Sequence, residues 1–331
     1  MLVLGIESTA HTFGAAVVEE KKGKISILSN ECSKYPSTKE GYIPRKMADF
    51  HAEHWNGTAE AALSKAGKAL DEIGAFAYSQ GPGIGHCLHV GWVAAKTLSL
   101  LCGKPLVPVN HTVAHVEVGK WWCKAKNPLV VYVSGGNTQI AALQKQDHNR
   151  HSHYRVFGET LDIGLGNFLD QVGRGLELEP PDAVGVLKEA AKGKTLLPLP
   201  YTVKGMSVAY AGLLTKTKKM KGTAPAADIC YSAQEYAFSA LVEATERCLC
   251  HTRNPEVLLC GGNARNRRLQ EMLRLMSEEQ GARFCVTPDE YSGDNGAMIA
   301  VTGLLMYKNG AIPKDSRPKQ RMRLDSQTIL W

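Results

Sequence analysis

The chain has 331 residues, 44% of them hydrophobic and 21% charged, an ordinary globular composition and enough length for one large or two medium domains with a full core. The formal net charge of +7 is mildly basic, which permits an anionic partner without requiring one. Nine cysteines, an odd number at irregular spacing with no CxxC pair, argue against a disulfide framework and for a reducing compartment.

In chain order, Leu2–Ile6 is a short apolar run that stops at Glu7-Ser8-Thr9-Ala10, and Phe13–Val18 is a second. This reads as strand, tight turn, strand. With Glu7 so early and no basic residue before it, the start is a buried strand rather than a signal peptide. No apolar run reaches the roughly 18 residues of a membrane span, so no membrane association and a cytoplasmic location are expected, nuclear as well in a eukaryote. Phe50–Lys68 has helical spacing, Ala75–Ser79 reads as a strand into Gly81-Pro82-Gly83-Ile84-Gly85, and Leu88–Leu101 as a helix. Pro105–Val109 is the next strand and His111–Val118 the next helix, with Asn110 a candidate N-cap. The opening grammar then returns as Leu129–Val133, Ser134–Thr138 and Gln139–Leu143, a weak repetition that suggests two lobes of like construction. His148, His151 and His153 lie in a polar stretch predicted as a loop. Tyr236–His251 reads as a long helix, Val257–Cys260 as a strand into Gly261-Gly262, and Leu269–Glu279 and Gly296–Lys308 as helices. Such alternation means α/β. The expected division is an N-terminal lobe over 1–127 and a C-terminal lobe over 128–331, whose last helix and tail are candidates to pack back on the first.

Four patterns carry chemistry. Gly81–Gly85, Ser134-Gly135-Gly136-Asn137 and Gly261-Gly262-Asn263 each follow an apolar strand, where glycine lets backbone amides approach an anion. Three such turns point to a phosphate-bearing ligand, although tight turns need glycine anyway. Neither a P-loop nor a GxGxxG fingerprint is present, since Leu88 holds the last glycine position. Second, His111 and His115 stand at i and i+4 and share one helical face, which suits a metal. Thr112 occupies the position where a zincin protease needs its glutamate base. Third, Asp294 before Gly296 fits either a metal-ligating carboxylate or a helix cap. Fourth, Glu159, Asp162 and Asp170 with Gly158 and Gly166 either hold a ribose or cap a helix. Cys248-Leu249-Cys250-His251 lies on a predicted helix where i and i+2 point apart, so structural thiols are expected. The basic runs Lys216, Lys218, Lys219 and Lys221, then Arg265, Arg267 and Arg268, then Lys314 to Arg323, read as solvated faces or phosphate contacts.

Together these pieces closely resemble the TsaD/OSGEP family of tRNA threonylcarbamoyladenosine synthases, especially its archaeal and eukaryotic branch. The resemblance rests on GIESTAHTFG (5–14), SQGPGIG (79–85), VNHTVAHVE (109–117), YVSGGNTQ (132–139), FGETLDIGLGN (157–167), LPYTVKGM (199–206), GGNARNRRL (261–269) and DNGAMIA (294–300), which span almost the whole chain. It implies a two-lobed, actin-like α/β fold shared with sugar kinases and heat-shock-chaperone ATPases. It implies that His111, His115 and Asp294 ligate one divalent metal, iron (Fe2+) or zinc, with Tyr132 either a further phenolate ligand or facing the ligand phosphate. Tyr132, Val133, Ser134, Gly135 and Gly136 would wrap the phosphates of an adenylate or ATP. Asp170 would hold the ribose, Asn266 would contact the nucleoside, and Glu7 and Thr9 would line the cleft floor. The implied reaction moves the threonylcarbamoyl group from threonylcarbamoyl-adenylate to the exocyclic amine of an adenosine beside the anticodon, in tRNAs that read codons beginning with adenine.

The implied partners are tRNA and the KEOPS subunits: a kinase-like ATPase, a dimerising subunit and a tRNA-binding subunit. Arg45, Lys46, Lys216, Lys218, Lys219 and Lys221 are the candidate tRNA contacts. One departure stands out in Glu179–Glu189. Either Ala183 and Leu187 or, with a two-residue shift, Gly185 and Glu189 take the family's glycine and acid positions. The rival readings are a metalloprotease, a nucleotide-binding ATPase of the same fold, and a non-catalytic scaffold.

Overall fold

The computed structural model describes residues 1–36, 42–145 and 152–331. In chain order the elements are β1 (Leu2–Glu7), β2 (Thr12–Lys21), β3 (Lys24–Lys34), α1 (Pro44–Ala66), β4 (Ala75–Gly81), α2 (Gly85–Cys102), β5 (Leu106–Asn110) and α3 (His111–Cys123). Next come β6 (Pro128–Val133), β7 (Thr138–Lys145), β8 (Ser152–Glu159), α4 (Leu165–Gly175), α5 (Ala183–Ala190), β9 (Val203–Lys204), β10 (Ser207–Val208) and α6 (Ala211–Lys219). The chain continues through α7 (Ala226–Thr252), β11 (Glu256–Cys260), α8 (Arg267–Glu279), β12 (Arg283–Val286), α9 (Asp289–Ser292), α10 (Gly296–Lys308) and β13 (Thr328–Ile329). They fall into two units: Met1–Trp121 with Gln144–Tyr154 and Gly293–Trp331, and Trp122–Leu143 with Arg155–Ser292.

The first unit carries a sheet of order β3-β2-β1-β4-β5. β1 runs antiparallel to β2 and parallel to β4. All six residues of β1 are buried, as expected for a strand covered on both faces. Successive side chains alternate across it. Leu4 and Ile6 join Phe76, Ala94, Ala95 and Leu98 in one apolar cluster, while Gly5 meets α10. The approach to α10 is so close that a Cβ on Gly5 would lie 2.4 Å from the Ala300 amide nitrogen and 2.5 Å from the Gly296 oxygen. β13 pairs antiparallel with His153 and Ser152 in the same unit.

In the second unit the strand order is β12-β11-β6-β7-β8. β6 is antiparallel to β7 and parallel to β11. Written by order of appearance, both units read third, second, first, fourth, fifth strand, so the repeated hairpin grammar of the sequence belongs to a repeated topology. The core of the second unit gathers Val131, Val133, Phe168, Leu169, Phe238, Leu241 and Leu259 under α4, α7 and α8.

Three expectations change. β3 was not anticipated, because most of its residues are only half-buried and its apolar alternation is thin. The Lys22-Gly23 turn, left-handed at both residues (φ 53 and 80°), was the available signal for that hairpin. His153 stands in β8 rather than in a loop, paired with Thr328; His148 and His151 lie outside the described residues. Helices α1 and α7 begin earlier than their apolar periodicity, α1 with Pro44 in its first turn, where a missing N–H costs nothing. Cys248 and Cys250 lie on α7, the first buried and the second exposed. Among the described residues no helix is long and apolar enough to cross a membrane.

Gly5→Ala is expected to lower unfolding free energy by roughly 1–3 kcal/mol, because the added methyl meets backbone on α10 that cannot move aside; a urea unfolding curve reads it directly.

Candidate metal centre

The first unit brings five of the anticipated site residues to one place. Asn110, at the end of β5, caps α3: its Oδ1 accepts from the amides of Thr112 (3.0 Å) and Val113 (3.3 Å). The helix therefore starts at His111, and His115 follows on the same face. The imidazole rings stand 4.7 Å apart at 87°. Asp294 precedes α10. Asn295 supplies that helix's cap, accepting from the Met298 amide at 3.0 Å, which leaves the Asp294 carboxylate to face the histidines. Its Oδ1 lies 3.6 Å from His111 Nε2 and 3.4 Å from His115 Nε2.

One ligand atom from each of the three, a ring nitrogen or a carboxylate oxygen, lies within 4.8 Å of the other two, a possible metal site. Two donors about 2.05 Å from one ion at the tetrahedral angle lie about 3.3 Å apart, close to the observed separations. Two imidazoles and one carboxylate are also a donor set that zinc and iron both accept.

Glu7 completes the arrangement from behind. Its side chain is fully buried. Oε1 accepts from the Thr9 amide at 2.6 Å, and Oε2 accepts from His111 Nδ1 at 2.9 Å. Thr9 Oγ1 stands 3.3 Å from the same nitrogen. A carboxylate on one ring nitrogen fixes the tautomer and directs the other nitrogen toward a metal. Glu7 and Thr9, expected to line a cleft floor, both reach the His111 ring, and the Glu7 carboxylate fixes its orientation. Sequence reasoning missed that role because the pair is far apart in the chain.

Charge follows the same geometry. Burial works against a proton on His111, but the Glu7 carboxylate, its hydrogen bond and Asp294 outweigh it and push the pKa up to about 9. Burial pulls His115 down. Burial alone would raise Asp294, but the hydrogen bond from His115 and the two imidazoles hold it far below the usual carboxylate range. Cys32, whose Sγ is 4.0 Å from the Asp294 carbonyl, is pushed up to about 11 by burial, so it stays a neutral thiol.

The remaining anticipated binding residues lie in the second unit. Tyr132 and Val133 are buried at the end of β6, and Gly135 and Gly136 are exposed in the turn that follows. The Ser134 amide donates to the Asn137 carbonyl at 2.8 Å. The turn touches the start of α4: Gly166 and Asn167 donate to the Ser134 and Gly135 carbonyls. A Cβ on Gly166 would lie 2.7 Å from Gly135 Cα and 2.4 Å from Asn263 Nδ2. The second and third glycine turns therefore meet. Asn266 caps α8 through Oδ1, and its buried Nδ2 has no hydrogen-bond partner among the described residues, an orphaned donor of the kind ligands satisfy. Asp170 on α4 accepts from the Ala183 amide at 2.9 Å. Gly185 packs so closely on Pro180 that a Cβ would lie 1.9 Å from its oxygen, and Glu189 pairs with Lys192.

The first glycine turn behaves differently. The Gly83 amide donates to the Gln320 carbonyl at 3.3 Å and the Ile84 amide to the Thr9 carbonyl at 2.8 Å, so both are taken by the chain itself. Of the basic candidates, Arg45 and Lys46 open α1 in the first unit, with Arg45 beside Asp49. Lys216, Lys218, Lys219 and Lys221 are exposed in the second unit, with Lys218 on Gln171 and Lys221 on Glu177. Arg267 and Arg268 pair with Asp289, Glu235 and Glu271, which favours the solvated-face reading for that run.

A family model described as TsaD, tRNA N6-adenosine threonylcarbamoyltransferase, matches residues 26–301. A tRNA N6-adenosine threonylcarbamoyltransferase of Thermococcus kodakarensis is 44% identical over 335 residues, covering all of both chains. One of Encephalitozoon cuniculi is 43% identical over 338 residues, covering 100% of this chain and 99% of the other. A probable bifunctional tRNA threonylcarbamoyladenosine biosynthesis protein of Methanocaldococcus jannaschii is 48% identical over 311 residues; 94% of this chain spans only 56% of that one. Among solved structures, HypF of T. kodakarensis superposes with TM-score 0.61 at 17% identity, over 93% of this chain and 48% of that one. Component A of (R)-2-hydroxyglutaryl-CoA dehydratase from Acidaminococcus fermentans gives 0.54 at 15%, over 91% and 97%. These distant likenesses identify the fold as that of the actin-like ATPases.

A metal ion needs His111 Nε2 without its proton, and below about pH 9 that proton is held. Loading zinc at neutral pH is therefore expected to release about one proton per site, read by calorimetry in buffers of different ionisation enthalpy. Glu7→Gln removes the charge that raises this pKa, so the release at neutral pH should shrink.

Proposed function

We propose a function from one premise: the chain belongs to the TsaD family of tRNA N6-adenosine threonylcarbamoyltransferases. It is an acyltransferase that modifies tRNA. It takes the threonylcarbamoyl group of threonylcarbamoyl-adenylate and passes it to the exocyclic amine of the adenosine beside the anticodon. The observation that carries this reading is the trio His111, His115 and Asp294, with Glu7 held behind His111.

The amine nitrogen attacks the carbamoyl carbonyl carbon, the bond from that carbon to the phosphate oxygen breaks, and AMP departs while the amine loses a proton. Adenine's amine is a weak nucleophile because its lone pair is shared with the ring, so the donor has to be activated and held in line. His111, His115 and Asp294 would hold one divalent ion, iron or zinc, which supplies Lewis-acid polarisation and a template when bound. Glu7 keeps the His111 ring turned with Nε2 toward Asp294. The exposed Gly135 and Gly136 are suited to a phosphate, and the unsatisfied Asn266 Nδ2 to a nucleoside acceptor. Asp170 keeps the ribose role that the family suggests, and Tyr132 a place beside the phosphate turn. Among the described residues no arrangement of nucleophile and activating base is apparent, which favours direct transfer without an acyl-enzyme.

The target base has to leave the anticodon-loop stack to react; Arg45, Lys46 and the Lys216 to Lys221 run are the proposed contacts to the tRNA backbone. A kinase-like ATPase, a dimerising subunit and a tRNA-binding subunit of a KEOPS assembly are the proposed partners. The protease reading lacks its base, since Thr112 follows His111 and is buried.

Transfer of labelled threonylcarbamoyl from its adenylate to unmodified tRNA, with KEOPS partners present and absent, tests this. Label is expected on tRNA, falling more than about 100-fold in His111→Ala. A folded, nucleotide-binding protein that transfers no label even with partners would overturn the reading in favour of an ATPase or a scaffold.

A further inference from the structure

The segment 315–331 has little regular structure, yet within the first unit it is fastened along its length. The Tyr78 hydroxyl donates to the Ser316 carbonyl. Gln80 Nε2 donates to the carbonyls of Asp315 (2.8 Å) and Arg317 (2.9 Å), and the Lys319 amide donates back to the Gln80 carbonyl at 2.7 Å. Lys319 and Gln320 then lie across the Gly81–Gly85 turn, where a Cβ on Gly81 would fall 1.7 Å from the Lys319 oxygen. The turn that reads in sequence as a phosphate cradle is a saddle for the chain's own backbone.

Two later fastenings fall on α3. Asn110 Nδ2 donates to the Arg323 carbonyl at 2.8 Å while its Oδ1 caps the helix. One side-chain amide thus fixes the start of α3 and holds the segment. Just under two turns on, Glu117 is 2% exposed. Its Oε1 accepts from the Tyr154 hydroxyl at 2.5 Å and from Lys120 Nζ at 2.9 Å; its Oε2 accepts from Lys120 Nζ at 3.0 Å and from Trp331 Nε1 at 3.0 Å. A buried carboxylate is tolerable only when its oxygens are satisfied in this way. Thr328 and Ile329, just before Trp331, are pinned by pairing with His153 and Ser152. His111 and His115 lie between the two fastenings.

We propose that residues 315–331 form a strap that positions α3, and that Asn110, Glu117 and Trp331 are positioning residues for the ligand nitrogens of His111 and His115; this rests on reading those histidines as metal ligands. The physical ground is rigidity. Two rings on adjacent turns meet one ion only if the helix can neither roll nor slide by a fraction of an ångström. The carboxylate of Glu7 constrains one ring alone, whereas the strap holds the helix at its cap and at its second turn.

Three variants are compared with wild type, and His111→Ala serves as the check on the metal site. Trp331→Phe keeps an aromatic ring and removes the donor to Glu117. Asn110→Ser keeps a capping oxygen and removes the donor to Arg323. Val93→Ala, at an exposed position of α2, is the control. Each is titrated with Co2+, followed by its visible ligand-field absorption, and hydrogen exchange is measured over 111–118. In both strap variants Co2+ affinity should fall by at least about fivefold, the low end of coupling between two sites. The absorption band should shift and exchange over α3 should quicken, with the control unchanged. Unchanged affinity, band and exchange in the two strap variants would overturn the proposal while leaving the metal reading intact. Wild type that takes up no Co2+, or His111→Ala that takes it up equally well, would overturn both, and that failure is visible before any strap variant is made.

Discussion

A carboxylate shut away from water at the end of β1 sets the terms for its surroundings. Glu7 is fully buried, and an uncompensated charge in that position would cost several kcal/mol. Two donors meet the demand, the Thr9 amide and His111 Nδ1. The first requires the chain to turn sharply after β1, which starts the hairpin to β2. The second requires the start of α3 to reach the end of β1 in the same unit. Once His111 is committed to Glu7 through Nδ1, its Nε2 has one direction left, toward Asp294. That residue arrives only because α10 lies almost in contact with the β1 backbone at Gly5. A glycine, a buried acid and a helix cap thus place three donors.

Much of this was readable along the chain, and its limits follow from distance. The HxxxH pattern with Asn110 before it is a local signal, and α3 begins where those residues predict. Asp294 was open between ligand and cap because both uses favour an acid before a helix; the structure gives the cap to Asn295. The part played by Glu7 depends on a partner more than a hundred positions away, which no periodicity reveals. Glu117 is similar: a lone acid on a helix reads as solvent-facing until Lys120, Tyr154 and Trp331 enclose it. The half-buried strand β3 lacked the apolar run that made β1 and β6 plain.

Glycine turns teach a related lesson. Three of them follow apolar strands, and the same physics permits each to cradle an anion. Their uses diverge with what reaches them. The turns at Ser134–Asn137 and Gly261–Asn263 meet across Gly166 in the second unit, with the unsatisfied amide of Asn266 following the latter. The turn at Gly81–Gly85 is filled by Lys319 and Gln320. What a glycine turn accepts is decided by whichever carbonyl or ligand arrives there, and that information sits elsewhere in the chain.

X-ray absorption on metal-loaded protein asks most directly whether the Glu7-oriented trio is a metal centre. The account requires one ion per chain with two imidazole nitrogens at about 2.0–2.1 Å and a carboxylate oxygen, the imidazole signal halving in His111→Ala. An ion bound without imidazole scattering, or a spectrum that His111→Ala leaves unchanged, would contradict it.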